Sequence, residues 1–160
     1  MIRGVHHISL ATADLDRFLH FYRDLLGMKL SGVFDIEPGD KPFETVVGMQ
    51  NTKGRAAALD LGNLHMEVFC YSHPQPQPGE RRPACDVGIR HICFDVKDIF
   101  GEYERLQAAG VQAVSGPVRL AANCASVYLY DPDGNICELQ EIFEGSIVPP
   151  AKGLASVPGQ

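Results

Sequence analysis

Apolar and polar residues alternate with period two over 5–11, where Ile8 and Leu10 stand against His7 and Ser9. The alternation predicts a short strand whose imidazole points away from the apolar face. Thr12 or Asp14 then caps a helix whose apolar positions Leu15, Phe18, Leu19, Tyr22, Leu25 and Leu26 follow helical spacing, with Gly27 as its stop. Strands are predicted near 29–34, 43–47, 55–60 and 64–71, the stretch 36–54 being the looser part. The unit reads βαβββ. In its last strand Glu67 shares a face with His65, Phe69 and Tyr71, opposite Leu64, Met66 and Val68.

The order then repeats. A strand over 89–96 leads to a helix from Asp98, with Ile99, Tyr103 and Leu106 inward and Gly110 as stop; strands follow near 111–118, 125–130 and 136–141. The turn DPDGN joins the last two as a hairpin. Helices and strands in this arrangement predict an α+β fold of two tandem βαβββ modules, over 4–71 and 89–142. The prolines and polar residues of 72–88 read as a linker between them, and 143–160 reads as a flexible C-terminal tail.

The duplication carries the candidate chemistry. HISLATAD from His7 and HICFDVKD from His91 share a frame of His-Ile, five residues and a helix-opening Asp. Each copy also holds a glutamate inside an apolar strand, Glu67 in NLHMEVF and Glu138 in DPDGNICEL. A Gly-Asn pair precedes both, with a one-residue shift. A carboxylate in the middle of an apolar strand is costly to bury unless it is paired or binds a metal. Together the copies supply two imidazoles and two carboxylates. That donor set suits a divalent transition metal, Zn, Ni, Co, Mn or Fe, and does not suit calcium or a thiolate site. His6 is the rival of His7. His7 is preferred because it matches His91 once Asp14 and Asp98 are aligned, and because His6 falls on the face with Ile8, where a packing or exposed role is the default.

Composition narrows the partners. With 160 residues and 45% apolar content the chain is long enough for one globular domain or two half-domains. No apolar run reaches a membrane span and 1–10 lacks a signal-peptide core, so the expected location is the cytoplasm. A net charge of −6 without a Lys/Arg cluster argues against nucleic acid and against an anionic membrane surface, which leaves a small-molecule substrate. Five cysteines without CxxC spacing read as free thiols.

GVHHISLATADLDRFLHFYRDLLGMKL, GIRHICFDV and YLYDPDGNICELQE resemble the vicinal oxygen chelate superfamily, which includes glyoxalase I, methylmalonyl-CoA epimerase, the bleomycin and fosfomycin resistance proteins and the extradiol dioxygenases. The resemblance covers about residues 4–142. It implies paired modules forming a U-shaped cleft, commonly in a homodimer, and one divalent metal held by His7, Glu67, His91 and Glu138. The halves of such a site come from one chain or from two, since both arrangements occur among proteins of this shape.

The implied chemistry is proton abstraction beside a carbonyl whose oxygen the metal polarises, by a lyase, isomerase or epimerase. Glu138 is the first expectation for the base, as a ligand that loosens in the manner of glyoxalase I, and Glu67 the second. Where glyoxalase I has an arginine and an asparagine that help to hold glutathione, this chain has Ala11 and Tyr71. A less polar substrate is therefore expected, in a cleft lined by His65, Phe69, Tyr71, Tyr128 and Tyr130. The alternative is an Fe(II) extradiol-type dioxygenase of a catechol, using His7, His91 and Glu138 with His65 and Tyr128 nearby; Glu67 would crowd its open side. A metal-free drug-binding protein of the bleomycin resistance type has no use for all four ligands.

Overall fold

The computed structural model describes residues 1–154, so residues 155–160 of the expected tail lie outside the described residues. Two compact units are present, one of Met1–Pro78 together with Gly153 and Leu154, the other of Gly79–Lys152. Each is built on one four-stranded mixed sheet.

In the first unit, β1 (Ile8–Ala11), β2 (Lys29–Ile36), β3 (Lys53–Leu61) and β4 (Leu64–His73) pair in the order β1-β4-β3-β2. β1 runs parallel to β4 and the other pairings are antiparallel. Strand β1 begins later than its alternation predicts, because Val5 is exposed and finds nothing to pack on. Asp14 rather than Thr12 caps the helix α1 (Leu15–Leu19), its carboxylate accepting the Arg17 N–H at 3.0 Å.

The chain continues into a π-helical segment, His20–Leu25, closed by the Leu26 N–H on the Phe21 carbonyl at 3.0 Å. The extra residue in this turn rotates Phe21 inward beside Tyr22 and leaves Leu25 and Leu26 only half-buried, where regular helical spacing would bury both. Leu15, Phe18, Leu19 and Tyr22 of the helical segment and Leu59, Met66 and Val68 of the sheet are all buried in the core. Each such side chain contributes about 1.5–3 kcal/mol when fully buried.

The strand expected at 43–47 is a helix, α2 (Lys41–Val47). Thr45, Val46 and Val47 favour extended backbone, but the ends decide otherwise. Asp40 accepts the Phe43 N–H at 3.2 Å, Pro42 sits in the first turn, and Gly48 closes the helix in the left-handed region at φ +68°. Buried Glu44 pins it to the body by accepting the Gly39 N–H at 3.1 Å, the Thr52 N–H at 3.3 Å and the Lys41 ammonium at 3.0 Å.

In the second unit, β5 (His91–Asp95), β6 (Val118–Leu120), β7 (Cys124–Tyr130) and β8 (Ile136–Ile142) repeat the same topology, order β5-β8-β7-β6, with β5 parallel to β8. The exposed Ile89 stays outside β5. Of the strand expected over 111–118, only an isolated bridge from Ala113 to Leu129 and the short β6 exist. Gly116 and Pro117 interrupt it, since proline has no N–H for the ladder.

Helix α3 (Ile99–Ala108) starts at Asp98, whose left-handed backbone is offset by hydrogen bonds on both sides. Its side chain accepts the Gly101 N–H at 3.2 Å, and Glu141 accepts the N–H groups of Asp98 and Ile99 at 3.1 and 3.0 Å. A side chain at 101 would collide with that cap, its Cβ falling 2.4 Å from the Asp98 carboxylate. Ile99 and Leu106 are buried as expected, and Tyr103 is half-buried.

Strand β4 extends to His73, inside the span expected as linker. Past Gly79 that span belongs to the second unit: the Arg81 guanidinium lies 4.2 Å over the Tyr130 ring and bonds to Gln112. The start of the expected tail is held too, by Asn123 Nδ2 on the Glu144 carbonyl at 2.7 Å and the Ser146 hydroxyl on the Ala122 carbonyl at 2.6 Å. The five cysteines are free thiols. Among the described residues no helix is long and apolar enough to cross a membrane.

Candidate functional site

Strand register puts one His–Glu pair in each unit. On the parallel strands β1 and β4, Ser9 is level with Glu67; on β5 and β8, Cys93 is level with Glu138. In both, the histidine stands two residues before the level position, so the same relation is built twice. The one-residue shift seen in the sequence is absorbed in the turns. Leu61 and Leu64 close a tight hairpin at Gly62 (φ +52°), whereas Tyr130 and Ile136 bracket a longer loop. As a result His7 Nε2 lies 3.6 Å from Glu67 Oε2, and His91 Nε2 lies 3.1 Å from Glu138 Oε2.

The first pair is open. The side chains of His7 and Glu67 keep 38% and 35% of their exposure. His6 meets His7 ring nitrogen to ring nitrogen, Nδ1 to Nδ1 at 2.8 Å, and its ring centre is 5.9 Å from that of His65. The expectation that His6 falls on the opposite face fails because both histidines precede the first residue of β1, where strand alternation does not apply. His65 is held by Asp60, Nδ1 to Oδ1 at 2.6 Å. The Ser31 hydroxyl first and His65 second hold the Asp60 carboxyl below the usual carboxylate range.

Beside this pair lies a cavity of about 250 Å³ whose lining includes Phe34, Phe43, Phe69, Ala56, Ala58 and Glu67. Register explains it. Phe34, Ala56 and Phe69 form one cross-strand row, and Gly32, Ala58 and Glu67 the next. Small residues at 32, 56 and 58 leave the space, and the Phe34 ring folds over Gly32, where an added Cβ would stand 2.9 Å from its tip. Phe43 reaches the cavity from α2 and stacks with Phe69 at 6.1 Å. Of the residues expected to line a cleft, Phe69 does so here. Tyr71 stacks on Phe69 at 5.8 Å, and burial pushes its phenol up. Phe34, Phe43 and the alanine run Ala56-Ala57-Ala58 escaped the sequence reading, although three small residues in a strand are themselves a sign of room.

In the second pair the carboxylate is closed in, while His91 stays as open as His7, at 37%. The Glu138 side chain is 12% exposed, Ser126 donates its hydroxyl to Oε1, and His91 stands at Oε2. Tyr128, level with Glu138 on β7, has its ring 5.3 Å from that of His91. Burial first, and the Glu138 charge second, raise its phenol. The Cys93 thiol is pushed up to about 12, by the crowd of protein atoms around it first and by Glu138 second, although the residue keeps an exposed edge. Tyr130 is occupied by Arg81. Ser126 is the further residue that period two along β7 could have found, since it shares a face with Tyr128 and Tyr130.

Among the described residues no group of three His, Cys, Asp or Glu side chains is gathered closely enough to hold a metal ion. Each unit instead offers one imidazole and one carboxylate. The donor types fit a divalent transition metal, and each imidazole turns Nε2 toward its carboxylate. His7 has its other ring nitrogen bonded to His6, the kind of outer contact that orients a ligand imidazole.

The sequence profile of the Glyoxalase/Bleomycin resistance protein/Dioxygenase superfamily matches residues 4–139. An ethylmalonyl-CoA/methylmalonyl-CoA epimerase of Cereibacter sphaeroides is 30% identical over 152 residues, covering 89% of this chain and 100% of the relative. A lactoylglutathione lyase of Pseudomonas aeruginosa is 30% identical over 147 residues, covering 84% and 80%. The solved structure of a glyoxalase family protein from Bacillus cereus superposes with a TM-score of 0.80 at 21% identity, covering 88% of this chain and 95% of the other. With its twice-built βαβββ sheet and a profile match over most of its length, the chain belongs to the Glyoxalase/Bleomycin resistance protein/Dioxygenase superfamily, the vicinal oxygen chelate proteins.

Proposed function

We propose that His7, Glu67, His91 and Glu138 are the ligands of one divalent transition metal, and that the chain is a metal-dependent lyase, isomerase or epimerase moving a proton beside a carbonyl group. The observation that carries this is the register: an imidazole and a carboxylate in the same relation on the same pair of parallel strands, built twice. Relatives named as an epimerase and a lyase support it. So does metal binding within the superfamily, where a fosfomycin resistance protein has been solved with Mn(II).

A divalent ion held by this set supplies Lewis acidity that makes a C–H beside a carbonyl more acidic. The side chains do the rest. Of the two glutamates expected as base, Glu138 first and Glu67 second, Glu67 is the one that lines the cavity, and we assign it to take the proton from a substrate lodged there. Glu138, held by Ser126 and His91, is the second acid–base group and returns a proton in an epimerisation. His7 and His91 orient the two carboxylates. The resemblance sets Ala11 and Tyr71 at positions that help to hold glutathione in glyoxalase I; here Ala11 is level with Phe69 and Tyr71 stacks on it, an apolar setting unsuited to a peptide carboxylate. Acyl thioesters and other apolar carbonyl compounds fit it better than glutathione adducts.

The test is elemental analysis of protein purified without a metal-binding tag and without oxygen, followed by turnover assays on acyl thioesters and hemithioacetals. About one equivalent of nickel, zinc, cobalt or manganese per chain, with turnover that a chelator abolishes, is the expected result. Protein that carries no metal and takes none up would defeat the ligand set. Bound Fe(II) with oxygen-dependent turnover of a catechol would replace proton transfer by dioxygenation.

A further inference from the structure

The cavity beside Glu67 lies on three successive cross-strand rows of the first sheet, Ile36–Gly54–Tyr71, Phe34–Ala56–Phe69 and Gly32–Ala58–Glu67. Of the residues in these rows that line it, Glu67 alone is polar. The carboxylate therefore stands at one end and the buried Ile36 two rows away at the other. The middle row decides what fits between them. Neighbouring strands are about 4.8 Å apart, so Phe34 and Phe69 spring from backbones about 10 Å apart with only the Ala56 methyl between them. Helix α2 adds Phe43, whose ring stacks on Phe69. A benzene molecule fills an apolar cavity of about 150 Å³. The volume here, about 250 Å³, holds one such ring with a short link to a carbonyl group, and two linked rings exceed it.

We infer that this cavity is a steric filter for the tail of the substrate: it takes a carbonyl compound bearing a single aryl ring and refuses two linked rings, with Ala56 and Phe34 setting the limit. The inference rests on the proposed metal-dependent reading for the reacting end of the ligand and adds the size and shape of its tail. Three phenyl rings on the walls favour an aromatic guest over a saturated ring of the same size, because offset and edge-on ring contacts add to the gain from burial alone. Ala56 sets the width. A larger side chain there would occupy the gap between Phe34 and Phe69 that the guest ring needs. Phe34 sets the length, its ring folded back over Gly32 on the edge strand β2. It keeps 59% of its exposure, so it walls the cavity without being part of the core. The Ala58 methyl, level with Glu67, leaves the carboxylate end clear for the reacting group.

The experiment holds the chelating head constant and varies the tail. Acetohydroxamic, cyclohexanecarbohydroxamic and benzohydroxamic acids and the para-phenyl derivative of the last are titrated into isotope-labelled protein, once metal-free and once loaded with Zn(II), and the NMR signals of the Ala56 and Ala58 methyl groups are followed. Affinity should rise about 10-fold or more from the methyl to the phenyl compound. The phenyl compound should exceed the cyclohexyl one by about 2–10-fold, and the para-phenyl derivative should fall below it despite its larger apolar area. Phe34→Ala, at an exposed position, should bring the para-phenyl derivative up to the phenyl compound. Ala56→Val, with melting temperature checked, should cost the phenyl compound about 10-fold and leave the methyl compound unchanged. Affinity that climbs steadily with apolar area would mark an unselective apolar surface and overturn the inference. So would a cyclohexyl compound that matches phenyl, methyl signals that none of the four shifts, or a Phe34→Ala variant that still refuses two rings. Failure of Zn(II) to tighten any hydroxamate would count against the ligand set instead, because the order among tails is read independently in the metal-free protein.

Discussion

The two units place a histidine and a glutamate in the same strand relation and then surround them differently. Glu138 sits in a strand whose residues Ile136 to Leu139 are all buried, with Ser126 and His91 on its two oxygens. Glu67 sits in a strand whose outward face stays half-open, with His7 at 3.6 Å and a cavity beside it. Level with His91 on the neighbouring strand is Ile136 in the second unit, whereas His65 clusters with His7 in the first. Duplication therefore preserves the His–Glu relation and lets the surroundings diverge. One half holds its carboxylate by both oxygens, and the other leaves its carboxylate half-exposed beside a cavity. Removing a buried carboxylate from water is costly unless its oxygens are satisfied, and in the second unit they are.

The largest expected effect is on turnover. Glu67→Gln should lower kcat about 10²–10⁴-fold, the range for loss of a general base, with circular dichroism and melting temperature unchanged. Normal turnover in that variant would remove Glu67 from the reaction. Glu138→Gln should abolish turnover as well while weakening metal binding only in part, and an active Glu138→Gln enzyme would break the proposed pairing of the two carboxylates. His7→Ala and His91→Ala should each lose most of the bound metal by elemental analysis. A full equivalent retained by either would refute the ligand set. The two should differ in stability: His91→Ala strips a partner from a buried carboxylate and should cost about 1–3 kcal/mol, whereas His7→Ala at an open site should cost under about 0.5 kcal/mol.

The two His–Glu pairs of the proposed ligand set stand out in the sequence because the duplication repeats the His-Ile frame and both glutamates interrupt apolar strands. The α+β order of elements was legible for the same reason, through period two and the caps at Asp14 and Asp98. What escaped was set by chain ends and turns rather than by periodicity. Helix α2 follows from Asp40, Pro42 and Gly48 against three β-formers, and it is this helix that brings Phe43 to the cavity. The π-helical turn at His20–Leu25 cannot be read from spacing, because one inserted residue changes which side chains face inward. The cavity itself depends on cross-strand rows, Phe34 with Ala56 and Phe69, that join residues far apart in the chain. His6 shows the reverse error: a rule valid inside a strand was extended to a residue that precedes one.

A smaller effect sharpens the contrast between the two carboxylates. Ser126→Ala leaves one oxygen of buried Glu138 without its hydroxyl donor and should cost about 1.5–3 kcal/mol in denaturant unfolding, the usual worth of a hydrogen bond to a charged group. Ser9→Ala, at the exposed position level with Glu67, should fall within about 0.5 kcal/mol of the parent. Equal costs at the two sites would mean that the second carboxylate is no more firmly held than the first, and the division of roles would lose its basis.

The smallest effect concerns the cavity wall. Glu44 anchors α2, and the Lys41 ammonium first, then the Gly39 N–H, hold its carboxyl below the usual carboxylate range. A carboxyl whose value is lower folded than unfolded binds its proton more readily when unfolded. Its stabilising share is therefore complete above the ordinary carboxylate value and is lost as pH falls through the lowered one. The α2 segment, and Phe43 with it, should loosen on the acid side and not on the alkaline side. Glu44→Gln should flatten that acid limb, with hydrogen exchange in 41–47 already fast at neutral pH and little further change on acidification. Loosening that persists with the same pH dependence in Glu44→Gln would assign the acid sensitivity to another group, and the wall of the cavity would then be held by packing of Phe43 on Phe69 rather than by charge.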